Sequence, residues 1–314
     1  MNAVAVTADG TVVTGGDDGI VRLWTPDRRL LSELIGHTDR VNAVAVTADG
    51  AIVSGGRDGT VRLWSRDGGG HAKLTIQAGR ISVVAVAPDG TILAGGSSGT
   101  VYRWEPDGAP RGNLERSSTW VTSLAVAPDG TVIGGGDYDV VWRWGADGQR
   151  RDPLHGKAAL LSDGEQFWAV AAAPDGTVIG GTDNGTLRYW YSDGTALTTT
   201  RGHRGNIRTL AVTPGGMIVS GGDDDTLRLW RDAELLATYW LDGATPKALA
   251  VAGDGRKVYV ADGHGRISAL TLAPVVVAPA PWAWLLLSLA LLGLAGVCRI
   301  GYRAFRQARD SGGA

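Results

Sequence analysis

The sequence predicts an all-β fold, a seven-bladed β-propeller of four-stranded antiparallel blades, followed by one C-terminal transmembrane α-helix. Three observations predict it. A turn Asp recurs at Asp9, Asp49, Asp89, Asp129, Asp175 and Asp254, with Gly215 in the sixth place. A Trp closes a segment at Trp24, Trp64, Trp104, Trp144, Trp190 and Trp230, at spacings of 40, 40, 40, 46 and 40, and Leu270 follows after a further 40. Nineteen residues without a charge then run from Ala280 to Cys298. A fixed period of about forty residues marks an architecture of stacked units, and four short strands per unit mark a propeller.

The second unit shows each element in order. Val41-Asn42-Ala43-Val44-Ala45-Val46 is apolar on both faces, as an inner strand between neighbouring blades requires, and its Ala positions suit the crowded centre of a ring. Asp49-Gly50 turns the chain into Ile52-Val53-Ser54, and Arg57-Asp58-Gly59 turns it again. Thr60-Val61-Arg62-Leu63-Trp64 alternates as a half-exposed third strand, and the variable stretch after it supplies an outer fourth. No segment of the repeats sustains a 3.6-residue apolar period, which excludes an α/β fold.

Composition agrees. The chain has 48 Gly and 12 Trp against 2 Phe, which fits many tight turns each tied to one aromatic place. Net charge is −2, and without the last sixteen residues, which carry four Arg and one Asp, it is −5. That balance has no footprint for nucleic acid. The single Cys, Cys298, excludes disulfides within the chain.

Two units resemble the WD-repeat propeller family. Gly36-His37, Ala48-Asp49-Gly50, Ser54-Gly55-Gly56, Asp58-Gly59 and Leu63-Trp64 look like one complete repeat. Gly202-His203, Ser220-Gly221-Gly222, Asp224 and Leu229-Trp230 look like another. The resemblance implies hydrogen-bonded tetrads, His37, Ser54, Asp58 and Trp64 in one and His203, Ser220, Asp224 and Trp230 in the other. Other units depart: Gln77 replaces the His and Ser98 the Asp in the third, and Tyr138 replaces the Asp in the fourth. The seventh, with Lys257-Val258-Tyr259-Val260 and no Trp, diverges most.

Asn2 to Gly10 repeats Asn42 to Gly50 at every position, so Met1 stands inside a first strand, and the seventh unit stops after its third. Family members close the ring by pairing an N-terminal strand with the last three. Upstream residues are therefore expected to complete the ring, or else Pro274-Val275-Val276-Val277 supplies a short closing strand. The domain reading is a propeller over 1–273, a Pro-rich linker over 274–281, a membrane span over 282–298 and an Arg-rich tail over 299–314. Seventeen residues span about 25 Å as a helix, near the lower limit for a bilayer. Trp282 and Trp284 at one end and Tyr302 and Phe305 at the other sit as interface aromatics do. Arg299, Arg303, Arg306 and Arg309 favour a cytoplasmic C-terminus, with a tail anchor bearing a cytoplasmic propeller as the alternative.

No phosphate loop, HExxH or paired CxxC is present, so no catalytic residue, metal site or cofactor is expected. The Gly-Gly pairs recur at the end of each second strand and read as blade geometry. Arg22, Arg62, Arg103, Arg143, Arg188 and Arg228 read as one row in the third strands, solvated or paired across strands. Partner-binding candidates vary where the fold places no demand: Arg40, Arg80, Trp120, Trp168 and Arg208 at strand entries, with the turn residues Arg57 and Tyr138. The insertion from about Arg150 to Gln166 is the natural extra binding loop. The expected function is a non-enzymatic interaction module held at a membrane, its ring face offered to a protein or peptide. The alternatives are a sensor or lactonase-like ring with a metal in its channel, or the sensor half of a longer regulatory protein. Inner strands reading Ala-Val-Ala-Val lack the acidic residues such a metal site needs.

Overall fold

The computed structural model describes residues 1–67, 69, 71–74, 79–115, 120–136, 140–155 and 165–272. The chain divides into Met1–Leu272 and Ala273–Ala314, and the linker, span and tail expected over 274–314 lie outside the described residues. Met1–Leu272 forms seven antiparallel sheets, six of four strands and one of three. In blade two the strands are Val41–Val46, Ile52–Gly56, Val61–Trp64 and His71–Leu74, paired in chain order. Each inner strand lies against the inner strand of the next blade, and Pro246–Val251 of blade seven lies against Ala3–Val6 of blade one. The ring therefore closes by packing.

Repetition of one chemistry holds the blades together. Every second strand of blades two to six is buried along its whole length. The Gly-Gly pairs explain how close the blades come. A Cβ on Gly55 would stand 2.5 Å from Ile81 Cγ2, one on Gly15 would stand 2.5 Å from Val41 Cγ1, and one on Gly181 would stand 2.6 Å from Ile207 Cγ2. In each case the neighbour is the first residue of the next blade's inner strand. Apolar cores then form between blades. Leu34, Leu74 and Leu154 of the outer strands, and Leu114 directly after one, each pack with the Trp of the following blade, Trp64, Trp104, Trp190 and Trp144 respectively.

Among the described residues blade seven has three strands, the last of them Ile267–Thr271. Trp24 is half-buried, while Trp64, Trp104, Trp144, Trp190 and Trp230 are buried, and among the described residues no outer-strand Leu packs on it. A cleft of about 210 Å³ remains there, lined by Met1, Val12, Trp24, Pro26, Tyr259 and Ile267. The outer strands on either side expose apolar residues, Leu30, Leu31 and Ile35 in blade one and Leu235, Leu236 and Trp240 in blade six.

Three sequence expectations need correction. Third strands are more buried than half-exposed, because both faces meet neighbouring blades: Val61, Arg62 and Trp64 are all buried. The Arg row is two rows. Arg22, Arg62, Arg188 and Arg228 stand two residues before the Trp, while Arg103 and Arg143 stand one before it and so face the opposite side of the strand. Arg22 pairs with Asp18 and Glu33, Arg188 with Glu165 and Arg228 with Asp224. Arg143 is buried and donates to Asp152 O, Ser192 O and Asp193 O, tying blade four to the turn of blade five. Lastly, the insertion is partly sheet: Arg150–His155 is the outer strand of blade four, and 156–164 lie outside the described residues.

Candidate functional site

Two of the tetrad sets assemble as directional chains. Trp64 Nε1 donates to Ser54 Oγ at 2.8 Å, Ser54 lies 2.8 Å from His37 Nε2, and His37 Nδ1 lies 3.0 Å from Asp58 Oδ2. In blade six Trp230, Ser220, His203 and Asp224 repeat this at 2.8, 2.7 and 2.8 Å. Burial lowers both imidazole pKa values, against the pull of the facing carboxylates. A neutral ring with Nδ1 protonated satisfies every partner: it accepts from the Ser hydroxyl and donates to the Asp. Burial also works against ionised Asp58 and Asp224. Hydrogen bonds from Thr38 N, the Thr60 hydroxyl and His37 outweigh it at Asp58, and those from Arg204 N, His203 and Thr226 hold Asp224 at about 2. These groups brace the blade and leave no free reacting atom.

Blades lacking the tetrad solve the same problem differently. Gly134 and Gly180 occupy the Ser54 place, and a Cβ there would stand 3.0 and 3.1 Å from the ring of Trp144 and of Trp190. The indole N–H instead reaches back to the preceding blade, Trp144 to Glu115 O at 3.2 Å and Trp190 to His155 O at 3.3 Å. Tetrad loss therefore leaves the architecture intact.

The variable positions gather at one end of the central channel, where inner strands begin and second strands end. Here the structure separates residues that the sequence placed together. Arg40, Arg80 and Trp120 are exposed residues just before an inner strand. Trp168 and Arg208 come two places later in the repeat. In blades two to seven the ladder shifts register at this later place, so that Asn42, Ser82, Thr122, Trp168, Arg208 and Lys247 are bulge residues. A bulge re-aims one side chain without ending the strand.

That bulge row has two uses. In blades two and four its short polar side chains, like Asn2 at the aligned place of blade one, tie one blade to the next: Asn2 Nδ2 donates to Val41 O at 3.2 Å, Asn42 Nδ2 to Ile81 O at 2.7 Å and Thr122 Oγ1 to Phe167 O at 3.4 Å. In blades five, six and seven the same place holds Trp168, Arg208 and Lys247, which make no such bond. Lys247 was missed by sequence reasoning, although its alignment with Asn2 and Asn42 was a usable signal. Arg208 is fixed by two hydrogen bonds to Asp223, 2.7 and 2.8 Å, and its guanidinium lies 5.2 Å from the Trp168 ring centre. Arg80 lies 5.5 Å over the exposed Trp120 ring, joining blades three and four. Arg40 pairs with Asp17 at 3.2 Å and Arg57 with Asp39 at 3.7 Å. Tyr138 lies outside the described residues. The mouth is a rigid set of aromatic and guanidinium planes, chemistry suited to binding. Among the described residues no cluster of His, Cys, Asp and Glu is built to hold a metal ion.

Comparison with known families finds four segments matching the model described as WD domain, G-beta repeat: residues 1–25, 28–65, 70–105 and 194–231. The blade-two tetrad falls in the second segment and the blade-six tetrad in the fourth. No curated protein matches the chain.

Proposed function

We propose that this chain, a member of the WD-repeat propeller family, is a non-enzymatic protein-interaction module that binds its partner at the channel mouth where the inner strands begin. The carrying observation is the bulge row, in which positions that tie blades together elsewhere hold Trp168, Arg208 and Lys247 on three consecutive blades. These side chains make none of the blade-to-blade hydrogen bonds of Asn42 and Thr122, and Arg208 is held by Asp223 and against Trp168, so binding orders little. A photocrosslinking residue at position 183, at this mouth, is expected to capture a protein, and one at position 175, in a turn at the opposite end, is not. The reverse pattern refutes the assignment of the face.

The finer reading is a membrane-anchored module, with a linker over 274–281, a span over 282–298 and a tail over 299–314. Its support is the run of nineteen uncharged residues with flanking aromatics and four following Arg. Among the described residues no helix is long and apolar enough to cross a membrane, and 282–298 are not among them. Full-length protein is expected to stay with membranes through carbonate extraction, and a chain ending before 282 to be released. Release of both removes the anchor. The positive tail argues for a cytoplasmic C-terminus, so alkaline phosphatase fused after Ala314 is expected to be inactive; an active fusion reverses the orientation.

A further inference from the structure

We infer that the partner presents an acidic polypeptide segment, whose carboxylates meet Arg80 and Lys247 while an apolar side chain lies on the Trp120 ring. This rests on the reading of the mouth as the interaction surface and names the class of partner it takes. The two rows that form the mouth are the residues just before each inner strand and the bulge residues. They contain Arg40, Arg80, Arg208 and Lys247 and no carboxylate among the described residues. That is unusual in a chain of net charge −2, whose opposite end carries the turn residues Asp9, Asp49, Asp89, Asp129, Asp175 and Asp254.

The four cations are not equivalent. Arg40 is tied to Asp17 and Arg208 to Asp223. Arg80 and Lys247 are exposed and make no ion pair among the described residues. Both are therefore available to a ligand's negative charge without first breaking a pair. Trp120 is 46% exposed with Arg80 over its ring, so an approaching side chain meets an aromatic surface beside a cation. Trp168, stacked with Arg208, continues that surface across the mouth.

A nucleic acid is the other anionic partner with flat groups to stack. The surroundings disfavour it. Asp17, Asp39, Asp183 and Asp223 stand around the mouth, so a phosphate backbone leaving the centre meets carboxylates. Two unpaired cations also neutralise too few phosphates for a backbone-tracking interaction. A peptide that places one or two carboxylates in the centre avoids both costs.

The test is fluorescence anisotropy on the full chain with three labelled probes: a short peptide alternating Glu and Leu, its Lys-Leu counterpart, and an oligo-thymidylate. The Glu-Leu peptide is expected to bind, more weakly as salt is raised. Arg80→Gln and Lys247→Gln are each expected to weaken it about tenfold, or about 1.4 kcal/mol. Arg66→Gln, at the opposite end, should leave binding unchanged, and unaltered melting of each variant shows that the ring is intact. Stronger binding of the Lys-Leu peptide or the oligonucleotide, no binding of the Glu-Leu peptide, or indifference to Arg80 and Lys247 overturns the acidic partner. If crosslinking from position 183 still captures a protein in that event, the interaction face stands and only the partner class falls.

Discussion

His37 shows how a single residue joins the fold to solution conditions. Its imidazole is enclosed and held neutral by burial, while Asp58 keeps it oriented for Ser54. His203 does the same in blade six. Both have folded-state pKa values below the ordinary 6.5, so between the two values the unfolded chain binds more protons than the folded one. Their contribution to stability is complete above about 6.5 and is lost as pH falls through that value toward the folded one. The lowered carboxylates act further down: the stability due to Asp224 is present above 3.8 and lost as pH falls toward about 2. Melting temperature measured against pH should therefore begin to fall just below about 6.5. A His37→Asn, His203→Asn double variant, less stable overall, should lose that first step. A wild-type curve flat through this window would show that folding does not lower the imidazole pKa values. The side chains of both tetrads were legible in the sequence, because each set falls within one repeat. The neutral state of the His was not, since it depends on burial in the folded ring.

Among the elements, the second strand is the most constrained. Its glycine pair was legible as blade geometry from recurrence alone, but the reason lies in another blade: the first Gly sits under the first residue of the next inner strand. Gly55→Ala should destabilise by about 1–3 kcal/mol through overpacking against Ile81 and Val84. Gly253→Ala, where a new Cβ meets nothing within 4 Å, is the control in the same urea titration. Equal midpoints would show that the blades separate easily. The third strands teach the complementary lesson. Arg103 and Arg143 differ from Arg62 by one place relative to the Trp, and one place in a strand changes the face. A list of Arg per repeat hides that difference; alignment on the Trp reveals it. The inner-strand bulge shifts the face again, which separates Trp168 and Arg208 from Arg40 and Arg80 although all lie at strand entries.

Over the whole molecule, the seam between blades seven and one differs from the other seams among the described residues. Leu34, Leu74, Leu114 and Leu154 each pack with the Trp of the next blade, whereas Trp24 borders an open cleft, and among the described residues Ile267–Thr271 pairs on one side only. Local opening follows low packing, so amides of Ile267–Thr271 should exchange faster than those of Thr226–Arg231, the same strand in blade six. Equal protection of the two strands would show that the seam is sealed. The two ends of the channel differ as well: the turns at one end carry a row of Asp, and the other gathers Trp120, Trp168 and two cations, Arg80 and Lys247, without an ion pair among the described residues. This polarity makes a symmetric scaffold into a surface with one recognisable face.

By itself the sequence determined the blade count, the order of strands within a blade, the places of the turns and the residues of both tetrads. All of these are local, repeating within about forty residues. Tertiary structure alone decided which variable residues meet at the mouth and which of the cations there are left without an ion pair. The physical reason is that the deciding neighbours stand far off in the sequence, several of them on another blade, and a one-residue bulge resets which side chain faces them.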